Sequence, residues 1–152
     1  MEISKWNNIA EVELIYKSKV KASDRPTITS SKDAADLLLG LWNENKIDFI
    51  EQFKLLLLNR ANKVLGVIDI SSGGVTGTVA DPKIIFAAAI KCNAVGIIMA
   101  HNHPSGNLKP SRADEELTQK VKGAGLLLDI RLLDHVIVSS EGYYSFADEG
   151  LL

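Results

Sequence analysis

A single cysteine, Cys92, among 152 residues excludes an internal disulfide and any structural zinc site built from four thiolates of one chain. Set in the apolar run from Ile84 to Ala94, it reads as a small buried apolar residue. A basic excess is lacking as well: 17 Lys and Arg against 19 Asp and Glu leave a net charge of -2. Nucleic-acid binders carry a positive surplus, so DNA is a weakly supported partner here, restricted to local basic patches. Long hydrophobic runs are missing, and those present stop far short of the roughly 20 residues that span a bilayer. The opening MEISKWNNIAEVEL has neither the basic flank nor the apolar core of a signal peptide. These absences exclude a membrane partner and point to a cytoplasmic protein. No repeat, low-complexity tract or obvious linker breaks the chain.

What is there suits one domain. Nearly half of the residues are apolar and about a quarter charged, the balance of a soluble globular chain. Ala10 to Tyr16 alternates polar and apolar residues, the period of a half-buried strand. A helix is expected over Asp33 to Trp42, with Ser30 or Ser31 as its cap. Gln52 to Leu58 and Val64 to Ile70 read as a hairpin, after which the glycines of SSGGVTG break the pattern. Asp81-Pro82 opens a helix that should run to about Asn93. Val95 to Ala100 is apolar throughout, as a central strand covered on both faces is. A third helix spans roughly Arg112 to Gly123, and Leu126 to Leu133, Val136 to Ser139 and Tyr143 to Phe146 read as strands. The order implies an α/β (α+β) fold, a mixed sheet sandwiched by helices.

The chemistry concentrates where the central strand ends. His101 and His103 are two residues apart, and in extended backbone such residues project from one face. Two imidazoles so spaced can converge on one ion. Asp114 follows eleven residues later in the first turn of the next helix, and the intervening PSGNLKP can turn that helix back toward the strand end. Two His and one carboxylate, with the fourth position left to water, is the pattern of a catalytic zinc site rather than a structural one. Ser111-Arg112-Ala113-Asp114 also fits a capping signature that needs no metal.

His101-x-His103, seven residues, Ser111, two residues and Asp114 resembles the zinc motif of JAMM (JAB1/MPN) metalloproteases. Within that superfamily the chain is most similar to RadC, through AHNHPSGNLKPSRAD at 100–114 and LLDHVIVSSEGYYSFADEG at 132–150. The similarity covers about residues 30–152, leaving 1–29 as an N-terminal extension that carries the first expected strand. About 30 preceding residues are too few for the helix-hairpin-helix region of longer RadC proteins, so the likeness is to the short, single-domain form. The resemblance implies a JAMM/MPN-like, cytidine-deaminase-like architecture with one Zn2+ per chain on His101, His103 and Asp114. It implies hydrolysis of peptide or isopeptide bonds in a peptide or protein substrate.

The resemblance also implies Glu51 as general base, with Glu44 and Asp48 as the fallback positions. Ser111 has two compatible roles: helix cap, or, as the resemblance implies, a hydrogen-bond donor to the developing oxyanion. His135 reads either as a group orienting a ligand or as a satisfied core histidine. Asn102 should point away from its histidine neighbours and stays outside the ligand set. Two readings of other classes stand beside the hydrolase: a DNA-repair or recombination accessory, and a binding scaffold without catalysis. Edge strands leave a homo-oligomer open.

Overall fold

Parity along the strands decides what meets what. In the computed structural model, which describes residues 7–13, 15–73 and 80–152, five strands form one sheet in the order β2-β1-β3-β4-β5. They are β1 Gln52–Leu58, β2 Val64–Ser72, β3 Gly96–Asn102, β4 Arg131–Ser139 and β5 Gly142–Ser145. Only β3 and β4 run parallel; the other neighbours are antiparallel. Three α-helices accompany them: α1 Ser31–Leu41, α2 Pro82–Lys91 and α3 Arg112–Leu128. Among the described residues, no helix is long and apolar enough to cross a membrane.

All seven residues of β3 are buried, as its unbroken apolar run requires of a strand covered on both sides. Its odd positions Ile97 and Met99 join Phe53, Leu55 and Leu57 of β1 in a core capped by Ile85, Phe86 and Ala89 of α2 and Val121 of α3. Its even positions Ile98 and Ala100 join Leu56, Leu58, Val136 and Val138 beneath Ala34, Ala35 and Leu38 of α1. The result is three layers, with α1 on one face and α2 and α3 on the other. The helix starts are set by their caps: Ser30 accepts from the Asp33 amide, and Asp81 from the Lys83 amide with Pro82 behind it.

Three expectations are corrected. The described residues of Ala10 to Tyr16 form no strand and lie exposed, and Leu14 falls outside the description. The alternation finds no partner strand there; the Tyr16 hydroxyl donates to the Leu65 carbonyl of β2, and the first backbone bridge is Thr27 to Lys63. Second, α3 does not stop at Gly123 but continues through Leu128, so Leu126 to Leu128 are helical rather than the start of a strand. A short apolar run does not distinguish the two periods. The helix ends at Asp129, whose left-handed φ of 55° terminates it. Gly125 permits the return, because a Cβ there would meet the Ile130 carbonyl oxygen at 2.2 Å. Third, the two expected strands around Asp134 are one, β4. The glycines Gly74 and Gly77 of SSGGVTG lie outside the described residues.

Continuity of β4 has a consequence. A register shift between Ile97 and Ile98 pairs Ile97 with Leu132 but Ile98 with Asp134, and the extra residue reverses the parity of β4. His135 thereby pairs with Met99 and joins the α3 face. Asp134 takes the other side, buried, where Oδ1 accepts from the amides of His135 (2.7 Å) and Ala147 (3.0 Å) and Oδ2 from the Ser145 hydroxyl (2.6 Å). Burial pushes its carboxyl above the usual range, against those bonds. Asp134→Ala should therefore cost about 3 kcal/mol in urea unfolding, since it strands buried donors. Asp134→Asn, which keeps the Oδ1 acceptor, should cost far less.

Candidate metal centre

Strand parity carries Glu51, His101 and His103 to one face. His101 sits directly across from Phe53 on β1 and Ile137 on β4. His103 prolongs the same edge, its amide donating to the Val138 carbonyl at 3.1 Å. The His101 and His103 Nε2 atoms are 3.0 Å apart. Asp114 enters from the first turn of α3, Oδ1 at 3.3 Å from His101 Nε2 and Oδ2 at 3.5 Å from His103 Nε2. Glu51 Oε1 lies 3.7 Å and 3.9 Å from the same two nitrogens. Ligand atoms of Glu51, His101 and His103 all fall within 4.8 Å of one another. Asp114 stands outside that trio and sets one oxygen against each imidazole.

Ser111-x-x-Asp114 forms the expected cap, and the capping Asp114 also faces the two histidines. Ser111 Oγ accepts from the Asp114 amide at 3.1 Å, and Asp114 Oδ2 accepts from the Ser111 amide at 2.8 Å. The same Oδ2 faces His103. Ser111 itself is exposed at the rim. Glu44 and Asp48 lie exposed in the turns before β1, so Glu51 is the carboxylate that the β1 start presents to the histidines.

Asn102 has a role that sequence reading missed. It points to the opposite face, as parity requires, and there its Nδ2 donates to the Ile47 and Ile50 carbonyls at 2.8 Å each. Its Oδ1 accepts from the Gln52 amide at 2.7 Å. Those three bonds clamp the backbone on both sides of Glu51, so the residue between the histidines fixes the glutamate beside them. No spacing rule in the sequence announces this, since Asn102 and Gln52 are fifty residues apart. Beside Glu51 and Asp114 a cavity of about 160 Å³ opens, lined on its apolar side by Phe53, Ala80, Ala113 and Leu117.

Hydrogen bonds fix how the ligand nitrogens are protonated. His103 Nδ1 meets the Asn107 carbonyl at 2.6 Å, so it carries the hydrogen and leaves Nε2 as a bare lone pair in the neutral ring. His101 Nδ1 meets His135 Nε2 at 2.8 Å, again turning Nε2 toward the centre. Two lone pairs at 3.0 Å repel unless a cation lies between them. The Asp114 hydrogen bond raises the His103 pKa above its ordinary value, against burial and with help from the Asn107 carbonyl and Glu51. Burial pushes the Asp114 carboxyl up, but the neighbouring His101 and His103 imidazoles prevail and hold it well below the carboxylate range. The donor set fits a divalent zinc, which takes neutral imidazole nitrogen and carboxylate oxygen.

The sign of the pH dependence follows. A raised His103 stabilises the metal-free fold below the unfolded His value of about 6.5 and ceases to as pH rises through its folded value. A depressed Asp114 stabilises it above the unfolded Asp value of about 3.9 and ceases to as pH falls through its folded value. In chelator, the stability gap between wild type and His103→Gln should be widest between those limits and shrink as pH rises through the folded His103 value. Zinc loading should abolish that alkaline loss, because the metal takes the place of the proton.

A mixed sheet between helices, with a His-x-His strand end and a capped Asp opposite it, defines a JAB/MPN-type domain. The RadC-like JAB domain family matches residues 28–151, and the chain belongs to that family. It is 44% identical over 124 residues to a UPF0758 protein of Flavobacterium johnsoniae, covering 82% of this chain and 53% of that one. To a UPF0758 protein of Rubrobacter xylanophilus it is 39% identical over 146 residues, 95% of this chain and 62% of that one. A Porphyromonas gingivalis UPF0758 protein is 48% identical over 103 residues, 67% of this chain and 45% of that one. The chain therefore spans about half the length of the curated relatives it matches.

Proposed function

We propose that this domain is a zinc-dependent hydrolase of the JAMM type that cleaves peptide or isopeptide bonds. The observation that carries the reading is the pair of imidazole Nε2 atoms 3.0 Å apart, with two carboxylates beside them. In this reading His101, His103 and Asp114 hold the zinc. Bound there, zinc supplies a Lewis acid that acidifies water and polarises a carbonyl.

The chain's own groups do the rest. Glu51, a carboxylate on the lip of the apolar cavity, accepts a proton from the attacking water and returns it to the departing amine. Asn102 keeps that carboxylate in place through the backbone on either side of it. Ser111 Oγ uses a lone pair in capping α3, so its hydroxyl hydrogen remains free to donate to the oxyanion. Phe53, Ala80, Ala113 and Leu117 form an apolar wall that receives an apolar side chain or the aliphatic stem of an isopeptide-linked lysine.

Ser111→Ala separates its two roles. Loss of the cap should cost about 0.5–2 kcal/mol in thermal or urea unfolding. Loss of the oxyanion donor should lower kcat by about 10²–10³, roughly 2.7–4 kcal/mol in the transition state. The test of the activity itself is a proteome-derived library of peptides and isopeptide-linked peptides, incubated with zinc-loaded protein and read for new amino termini. Cleavage that chelator stops and added zinc restores supports the hydrolase. A zinc-loaded chain that produces no new termini in either pool overturns it.

A further inference from the structure

We propose that Thr118 and His135 form a hydrogen-bond relay of fixed polarity that sets the tautomer of His101 and so prepares its Nε2 for metal. The consequence for metal rests on the function proposed above; the polarity of the relay does not.

Thr118 lies one turn after Asp114 on α3, fully buried, with Oγ1 2.7 Å from the Asp114 carbonyl oxygen. A carbonyl only accepts, so the hydroxyl donates there and its single hydrogen is spent. The same Oγ1 is 2.7 Å from His135 Nδ1, where it can therefore only accept. His135 Nδ1 carries the hydrogen. His135 is fully buried, stacked on Phe146 at 4.6 Å and tilted over Phe53 at 5.8 Å. Its nitrogens meet a hydroxyl and another imidazole, and among the described residues no carboxylate pairs with it. An enclosed ring without a counter-charge is neutral, so it holds one hydrogen only. Its Nε2 is then a bare acceptor and His101 Nδ1 donates to it across 2.8 Å. In the neutral form of His101 that hydrogen is its only one, and Nε2 is bare.

The relay begins on the backbone of Asp114 and ends on the ring of His101. It ties α3, β4 and β3 together through two proposed ligands, and the reversed parity of β4 brings His135 into line. Without the Thr118 hydroxyl, His135 Nδ1–H has no acceptor. The alternative tautomer moves the hydrogen to His135 Nε2, makes His101 Nδ1 the acceptor, and sends the His101 hydrogen to Nε2. There it points into the centre and must leave before a metal can enter. Thr118 and His135 are thus positioning residues: they touch no reacting atom and act through His101.

The experiment compares wild type with Thr118→Val, which keeps the shape, and Thr118→Ser, which keeps the hydroxyl. Zinc affinity is measured by competition with a chromogenic chelator. Imidazole tautomers are read by proton-nitrogen correlation spectroscopy on histidine-labelled full chain, metal-free and zinc-loaded. Thr118→Val should bind zinc about 10–100-fold more weakly, with Thr118→Ser recovering most of the loss. Metal-free wild type should carry hydrogen on Nδ1 of both His101 and His135. A Thr118→Val protein that binds zinc as tightly as wild type overturns the relay, and so does a wild-type His135 protonated on Nε2. A wild type that takes up no zinc defeats the metal reading instead, while the metal-free spectra still decide the relay. Should Thr118→Val fail to fold, the wild-type tautomers decide it alone.

Discussion

Purified from zinc-replete cells, the wild-type chain is expected to carry about one zinc per molecule by mass spectrometry, and the His101→Ala/His103→Ala variant none. The expectation rests on what the neutral rings present: two nitrogen lone pairs 3.0 Å apart, each fixed by a bond on the far side of its ring. A protein gains nothing by aiming two acceptors at each other unless a cation separates them. Zinc should also raise the melting temperature of wild type by mass action and leave the double variant unmoved. His103→Ala alone is the cleaner control for folding. His101 is buried and its removal leaves His135 Nε2 without a donor, whereas His103 is partly exposed and its ring is bound at the rim, to the Asn107 carbonyl and Asp114. A wild type that arrives empty and refuses added zinc would leave the domain a binding scaffold.

Much of this centre was legible because it depends on local rules. The i,i+2 spacing of His101 and His103 holds once their strand is recognised, and Val95 to Ala100 is an unmistakable buried strand. Ser111 and Asp114 announce the start of α3 by their capping pattern, and the capping box is there. What escaped depends on long-range pairing. Asn102 clamps Gln52 and Ile50, and Thr118 meets His135, through contacts that no sequence period encodes. The parity of β4 hangs on one register shift at Leu133, where two adjacent leucines give no sign of which is the extra residue. The Ala10 to Tyr16 alternation shows the reverse failure: a strand pattern makes a strand only where a partner edge receives it.

The sharpest division of labour lies between the two carboxylates, and Glu51→Gln against Asp114→Asn measures it. Glu51→Gln should keep its zinc and lose about 10²–10⁴ in kcat, roughly 3–5 kcal/mol of transition-state stabilisation. Asp114→Asn should lose most of its zinc affinity, with activity falling in proportion to the metal lost and recovering when zinc is supplied in excess. Distance separates the two groups only slightly, 3.3 and 3.5 Å for Asp114 against 3.7 and 3.9 Å for Glu51. Anchoring separates them more. Asp114 offers one oxygen to each imidazole, and its Oδ2 is also held by the Ser111 amide, which suits a ligand that must not move. Glu51 offers a single oxygen, Oε1, to both rings and borders the apolar cavity, which suits a group that must swing between water and a departing amine. The amide of Asn can still cap α3 through its oxygen, so a loss of zinc in Asp114→Asn with unchanged melting of the metal-free chain would report the lost charge and not a frayed helix. If Glu51→Gln were the variant that lost zinc, while Asp114→Asn kept its metal and lost kcat, the two roles would be exchanged on the same four side chains.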